Sequence, residues 1–352
     1  MSAAPRDPVG DLTQIAFLLE REHAATYKVQ AFRRAADTLG ALAEGELERR
    51  LTAGTLKDLP GIGDTTAAVV AESAAGELPG YLARLAAAAP ASVAPGGEAL
   101  RAALRGDLHT HSDWSDGGSP IEEMARTAAD VVGHDYVALT DHSARLTVAN
   151  GLDAERLRRQ LDVVAELNER LAPFRVLTGI EVDILDDGAL DQDPALLARL
   201  DVVVASVHSK LKMDAEAMTR RMVAAVANPH VDVLGHCTGR IVKTDPSGRR
   251  GGRGGRPESQ FDAELVFAAC AQFGVAVEIN SRPERLDPPR RLLHLAIEAG
   301  CLFSVDSDAH APGQLDWQPY GCARAVECEV SPRQVINTWG LDELLAWTGR
   351  RR

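Results

Sequence analysis

The chain has 352 residues, 45% hydrophobic and 25% charged, enough to bury the core of one large domain beside a small one. Its formal net charge of −13 argues against broad, unaided binding to a polyanion, although bound divalent cations reverse the sign of a field locally. No apolar run could span a membrane, Met1–Asp7 lacks a signal-peptide core, and the five cysteines show no zinc-type pairing, so a cytoplasmic protein with reduced thiols is expected.

From Asp11 to Leu42 apolar residues recur at helical spacing (Leu12, Ile15, Leu19, then Phe32, Ala35, Leu39), with a turn at His23–Tyr27. A short helix around Glu46–Leu51 leads to Leu59-Pro60-Gly61-Ile62-Gly63, which opens a further helix through Glu72. This is a helix-hairpin-helix pattern. Its glycines permit a tight turn that leaves N–H groups beside a helix N-terminus, where a nucleic-acid phosphate can be held without base reading. A plain αα-turn with structural glycines would read the same way. Lys28 and Lys57 suit either phosphate contact or solvation.

The hairpin, together with Tyr27-Lys28-Val29-Gln30-Ala31-Phe32-Arg33-Arg34-Ala35-Ala36, resembles the N-terminal 8-kDa domain of family X DNA polymerases. That resemblance implies DNA binding at Gly61, Ile62, Gly63, Lys28 and Lys57, with DNA ends or gapped DNA as partner. In some members a lysine in the helix after the hairpin is a lyase nucleophile. Here Asp64–Glu72 contains no lysine, and a Schiff base needs an amine, so lyase chemistry is not expected there. Residues 7–86 are assigned to this module and residues 87–104 to an Ala/Pro/Gly linker. The linker is too short for the palm, fingers and thumb that bacterial family X polymerases carry at this place, so no polymerase activity is expected.

Residues 105–352 alternate strand-like runs (106–109, 136–140, 175–182, 202–207, 231–235, 276–280 and 302–305) with helical ones (121–132, 154–171, 215–227, 262–273 and 289–299). His109 and His111 stand two apart on the first run, hence on one face, with Asp116 close behind. Thr140-Asp141-His142, Gly179-Ile180-Glu181, Ser206-Val207-His208, Leu234-Gly235-His236 and Asp308-Ala309-His310 each set a metal-type side chain after a later run. Contributions from almost every strand favour a closed barrel with its site at the C-terminal end, rather than an open sheet with one switch point.

These segments, with Glu278-Ile279-Asn280, resemble the PHP (polymerase and histidinol phosphatase) family, most closely the PHP domain fused to bacterial family X polymerases. Cys237 departs from the pattern, standing where relatives commonly have proline. The resemblance implies an α/β fold, a distorted (β/α)7 TIM-like barrel preceded by a small all-α helix-hairpin-helix domain. It also implies three divalent metal ions. His109, His111, Glu181 and Asp308 would hold the first, and Glu181 would bridge to a second completed by His208 and His236. Asp116, His142 and His310 would hold the third. This mix of imidazole and carboxylate suits Zn, Mn or Fe, and Glu181 and Asp308 are the expected catalytic ligands. Arg240 and Lys210 are expected to take the remaining phosphate charge. Asn280 and Arg282 either do likewise or hold a loop. His23, His134, His230 and His294 read as structural, and Asp141 as an orienting residue. The run Arg249–Arg256 either tracks a DNA backbone or is a solvated insertion. Ser331–Trp347 reads as an amphipathic helical closure of the barrel.

The function expected is that of a multinuclear metal-dependent phosphoesterase acting on DNA, as 3′–5′ exonuclease or 3′-phosphatase in repair, with a separate repair polymerase as a further partner. A histidinol-phosphatase-like phosphomonoesterase and a non-catalytic DNA-binding accessory protein are the alternatives. AP-endonuclease activity is compatible with the site, and no residue singles it out.

Overall fold

The computed structural model describes residues 6–242 and 255–351, and its contacts divide the chain between Ala91 and Ser92 into two compact units. The first unit is helical: α1 (Pro8–Arg21), α2 (Thr26–Gly40), α3 (Glu46–Ala53), α4 (Asp64–Ala74) and α5 (Gly80–Ala88). Asp7 caps α1 by accepting from the Val9 N–H at 3.0 Å. Leu12, Ile15 and Leu19 of α1 pack on Phe32, Ala35 and Leu39 of α2 and on Val69 and Val70 of α4. Leu59 and Ile62 of the hairpin enter the same core. Gly61 between them has φ +78°, a conformation that favours glycine, and a Cβ there would meet the Arg34 Cβ at 3.3 Å.

The second unit begins with α6 (Glu98–Ala103), whose Leu100 joins the barrel's outer core, and continues through seven parallel strands in sequential order. The strands are β1 (Gly106–Thr110), β2 (Tyr136–Leu139), β3 (Arg175–Asp183), β4 (Val202–Ser206), β5 (Val233–Leu234), β6 (Ala276–Asn280) and β7 (Phe303–Asp306). Around them run α7 (Ile121–Arg126), α8 (Ala154–Leu171), α9 (Pro194–Leu197), α10 (Ala215–Val226), α11 (Ala263–Phe273), α12 (Arg290–Glu298), α13 (Gln318–Glu327) and α14 (Leu341–Thr348). Alternation separates two cores. Leu108, Tyr136, Ala138, Leu177, Val202, Val204, Val233 and Ala276 fill the barrel interior, whereas Ile180, Val203, Leu234, Val277 and Phe303 face the helices.

Two local features position the site. Between Asp107↔Val137 and Thr110↔Leu139, β1 carries one more residue than β2. This bulge lets Leu108 and His109 both face inward, which aims the histidine pair into the barrel mouth. The second feature is the seam, where β1 and β7 form no ladder: beyond an isolated bridge of Thr110 to Ala309, with the His111 N–H on Ala309 O at 2.8 Å, side chains supply the bonds. Gln318 donates to Gly106 O (3.2 Å) and Val305 O (3.0 Å). Asn337 donates to Gly106 O, Val305 O and Asp306 Oδ1 and accepts from the Val305 N–H at 2.7 Å.

Several expected elements differ. The run 121–132 is α-helical only to Arg126 and continues as a π-helical turn, Thr127–Val132. The 231–235 run yields only Val233–Leu234 as strand. The tail is not one helix: 3₁₀ turns at Pro332–Gln334 and Ile336–Thr338 precede α14, because Asn337 is drawn into the seam. Helix α5 lies beyond the elements expected from periodicity. Most of the Arg249–Arg256 run lies outside the described residues; Arg256 pairs with Ile241 as an isolated bridge. Among the described residues no helix is long and apolar enough to cross a membrane.

Candidate metal centre

The expected ligands converge at the C-terminal ends of the strands around Glu181, which β3 places on the same inward face as Leu177. Glu181 Oε2 lies 3.3 Å from His109 Nε2, 3.6 Å from His111 Nε2 and 2.8 Å from His142 Nδ1. Its Oε1 lies 3.1 Å from His208 Nε2 and 2.9 Å from His236 Nε2. Asp308 Oδ1 approaches His111 Nε2 at 3.5 Å. Toward solvent, Asp116 Oδ1 faces His310 Nε2 at 3.4 Å and His142 Nε2 at 3.6 Å.

Glu181 is 1% exposed, and neither of its oxygens is in hydrogen-bonding geometry with a described group. The same holds for His109 Nε2 and for both ring nitrogens of His111, His208 and His236. Leaving so many buried polar atoms unsatisfied is costly unless cations meet them. His111, Asp116, His142 and His310 lie close enough to share an ion, as do His109, His111 and Glu181, and His142, Glu181 and His208. The residues present therefore fit divalent metals. His142 faces both the inner and the outer group, where only the outer one was expected. Asp308 adopts φ +52°, a strained backbone for a non-glycine residue that recurs at functional sites.

Electrostatics follow from packing imidazoles against few carboxylates. Burial would raise the Glu181 carboxyl, but His208, His142 and His109 hold it well below the usual range. Burial likewise opposes a charged His208, yet Glu181 and Asp183 bring it up to about 9. His236 is pushed down to about 4 by burial and by the Arg285 guanidinium. Burial together with His310 and His142 holds His111 well below its ordinary value.

Of a supporting layer, sequence reasoning anticipated the orienting role of Asp141 and missed those of Glu278 and Asp183. Glu278, fully buried on β6, accepts from His109 Nδ1 at 2.6 Å, from the His236 N–H at 2.5 Å and from Asn280 Nδ2 at 3.2 Å. Asp183 Oδ1 lies 3.4 Å from His208 Nδ1. Glu278 thereby holds the proton of His109 on Nδ1 and frees Nε2 as a ligand, while Asp183 faces His208 without hydrogen-bonding geometry. The signal available was strand alternation, since Asp183 and Glu278 each stand two residues from a residue singled out on the same strand. Asp141 accepts from Ser112 Oγ, Ser115 Oγ and Gln160 Nε2, holding the loop that carries Asp116.

The residues expected to meet phosphate are placed differently. Lys210 is paired with Asp186 and is 62% exposed, rather than turned to the cluster. Arg240 spends its donors on Arg285 O (3.0 Å), on Leu286 O and on Glu258. Asn280, fully buried, donates to Glu278 and to Asp308 Oδ2 (3.0 Å), so it positions ligands. Arg282 reaches the cluster, but its Nη1 donates to Asp308 O at 2.9 Å and lies 2.8 Å from His310 Nδ1, while Glu284 takes its Nε. In the helical unit, Lys57 is paired with Asp64 at 2.9 Å on the surface and Lys28 is exposed. The Gly63 N–H is taken by Thr66 Oγ1 at 2.9 Å, so among the hairpin residues it is not free for phosphate. The first N–H groups of α4 remain without intrahelical acceptors, as at any helix start.

Comparison with known proteins gives a consistent result. The helix-hairpin-helix domain family matches residues 6–77 and the PHP domain family matches residues 107–282. The chain is 38% identical over 247 residues to the DNA polymerase/3′-5′ exonuclease PolX of Bacillus subtilis, covering 70% of this chain and 41% of that protein. The chain thus spans about two fifths of that relative's length. It is 30% identical over 215 residues to a probable phosphatase of Thermoanaerobacter sp. (strain X514), covering 58% of this chain and 78% of that one. Among solved structures, histidinol phosphate phosphatase of Lactococcus lactis, complexed with zinc, L-histidinol and phosphate, aligns at a TM-score of 0.43 and 17% identity. That alignment covers 63% of this chain and 92% of the other.

Proposed function

The chain belongs to the PHP family and is a metal-dependent phosphoesterase; on that premise we propose that it acts on DNA, removing nucleotides or a phosphate from 3′ ends, without polymerase activity. Glu181 carries the reading. One buried carboxylate faces His109, His111, His142, His208 and His236, and the ring opens to solvent at Asp116.

We assign the ions to His109, His111, Glu181 and Asp308; to Glu181, His208 and His236; and to Asp116, His142 and His310. Bound there, they would lower the pKa of an attacking water and neutralise charge on the phosphoryl oxygens. The chain's own residues do the rest. Glu278 sets the tautomer of His109, Asp183 faces His208, Asn280 and Arg282 hold Asp308, and burial of the inner ligands limits competing water.

The hairpin module supports DNA as the substrate, since a small phosphomonoester makes no use of a backbone grip. We assign that grip to residues 7–86, through Gly61, Lys28, Lys57 and the start of α4; the Ile62 N–H is taken by Leu59 O at 3.3 Å. The reading as a small-molecule phosphatase rests on the probable phosphatases, whose likeness extends over 58% of the chain. Mn²⁺-dependent hydrolysis of a labelled 3′-phosphate-ended duplex, run beside histidinol phosphate with Asp308→Ala as control, separates the two. Turnover of DNA lost in the variant supports end processing, and turnover of histidinol phosphate alone refutes it.

A further inference from the structure

We propose that Arg285, in the loop after β6, is the side chain that binds the phosphate of the substrate at the metal centre. The inference rests on the phosphoesterase reading and adds to it the residue that meets the substrate's charge.

The loop that carries Arg285 is held from several sides. Arg240 donates to the carbonyls of Arg285 and Leu286, Arg324 to those of Leu286 and Pro288, and the Val242 N–H to that of Glu284 at 2.7 Å. The Asn280 N–H closes the loop on Asp287 O at 2.8 Å. Leu286 has φ +47°, a left-handed conformation that a side-chain-bearing residue rarely adopts and that these contacts enforce. Two arginines are therefore spent on fixing the backbone that carries a third.

The guanidinium so fixed points at the cluster. Arg285 Nε lies 3.3 Å from Asp308 Oδ2, and its side chain is 18% exposed. Its Nη1 is buried with no acceptor among the described residues. Arg282 meets the other oxygen of Asp308, at 3.6 Å, but its remaining donors go to Asp308 O and Glu284. Arg285 alone of this pair keeps a buried donor unfilled beside the cluster. A second cation, Arg256, is close enough for Arg285 to disfavour its charge. A rigid planar fork, one edge on a carboxylate and the other unfilled, beside a like charge, suits a tetrahedral oxyanion.

The test uses the full-length protein loaded with Mn²⁺ and compares wild type, Arg285→Lys and Arg285→Gln. Calorimetric titration with inorganic phosphate, KM on the 3′-phosphate duplex and metal content by elemental analysis are the readouts. Arg285→Gln is expected to keep its metal content while phosphate affinity falls and KM rises, each roughly 10- to 100-fold. Arg285→Lys, which keeps the charge and loses the fork, is expected to fall between. Normal phosphate affinity and KM in Arg285→Gln would overturn the assignment, and so would a fall in both accompanied by loss of metal, which would make Arg285 a support for Asp308. Failure of the phosphoesterase reading looks different, because wild type itself would then neither hydrolyse a phosphoester nor bind phosphate with any metal.

Discussion

Glu278→Gln tests the supporting layer directly. The carboxylate accepts on both oxygens: Oε1 from His109 Nδ1 at 2.6 Å, and Oε2 from the His236 N–H at 2.5 Å and Asn280 Nδ2 at 3.2 Å. A glutamine keeps the shape but can accept on one side only. With its oxygen toward His236, its NH₂ faces His109 Nδ1, which must then accept, and the ring proton moves to Nε2. That nitrogen lies 3.3 Å from Glu181 Oε2, so an ion would meet an N–H where a lone pair is needed. With the amide turned over, two buried donors oppose each other at His236, at about 1–3 kcal/mol. Either way affinity for the ion beside His109 should fall about 10- to 100-fold, or about 1.4 to 2.7 kcal/mol. The metal-free protein should lose less, because removing a charge near Asp306, which burial and Glu278 bring up to about 6, relieves repulsion. Competition against a chromogenic chelator measures the affinity, and unfolding of the metal-free protein measures the stability. A folded Glu278→Gln protein binding every ion as tightly as wild type would refute the tautomer assignment.

The remaining predictions concern the seam, acid stability and DNA. Asn337→Ala removes a buried amide that bonds Gly106 O, Val305 O, Asp306 Oδ1 and the Val305 N–H, and should destabilise the barrel by about 2–4 kcal/mol in urea unfolding; a loss below about 0.5 kcal/mol would show that the seam closes without it. Burial, with Arg101 nearby, pushes His134 down to about 3 from 6.5. The folded protein therefore resists a proton that the unfolded chain accepts, and this contribution is complete above about pH 6.5 and lost at up to about 1.4 kcal/mol per unit as pH falls toward 3. His134→Gln should flatten the fall between pH 7 and 5.5 by about 1 kcal/mol, and parallel curves would refute the assignment. Lys28→Glu with Lys57→Glu should weaken duplex binding several-fold and reduce its salt slope by about one for each phosphate that a lysine no longer neutralises; an unchanged slope would take both lysines off the DNA.

The sequence read well where chemistry and periodicity coincide. The expected ligands lie at or just beyond strand ends, apart from Asp116 in the loop after β1, and the inner histidines meet at Glu181, because parallel strands in a barrel bring all their C-terminal ends to one mouth. What escaped was set by contacts distant in sequence. Alternation puts His109 and His111 on one face, but only the bulge opposite β2 turns that face inward. Val231–Gly235 reads as a full strand, and only Val233–Leu234 is one, although Asp232 and Gly235 keep backbone bonds to the neighbouring strands. The tail's apolar spacing gave no sign of 3₁₀ turns, since Asn337 is fixed by bonds to β1 and β7. Phosphate contacts were the least legible. Proximity to a ligand in sequence suggested Lys210 and Arg240, whereas side-chain length and loop path decide where a guanidinium goes.

Net charge bears on the proposed DNA substrate only through where the charge sits. A chain at −13 should repel DNA, and averaged over its surface it does. Catalysis depends on the potential at the mouth, and there Arg282 and Arg285 lie within 4 Å of Asp308 while Arg256 stands close behind. Those guanidiniums neutralise the carboxylates that an anionic substrate would otherwise meet, before any ion contributes. Divalent ions held by Glu181 and Asp116 would then make the mouth locally positive on an acidic protein. Such a focused field attracts a phosphate that has reached the mouth but does little to recruit a polymer from solution, because screening confines it to about 8 Å at physiological salt. Recruitment must come from elsewhere on the chain. On the proposed DNA reading that need falls to the helical unit, where the first N–H groups of α4 are without intrahelical acceptors.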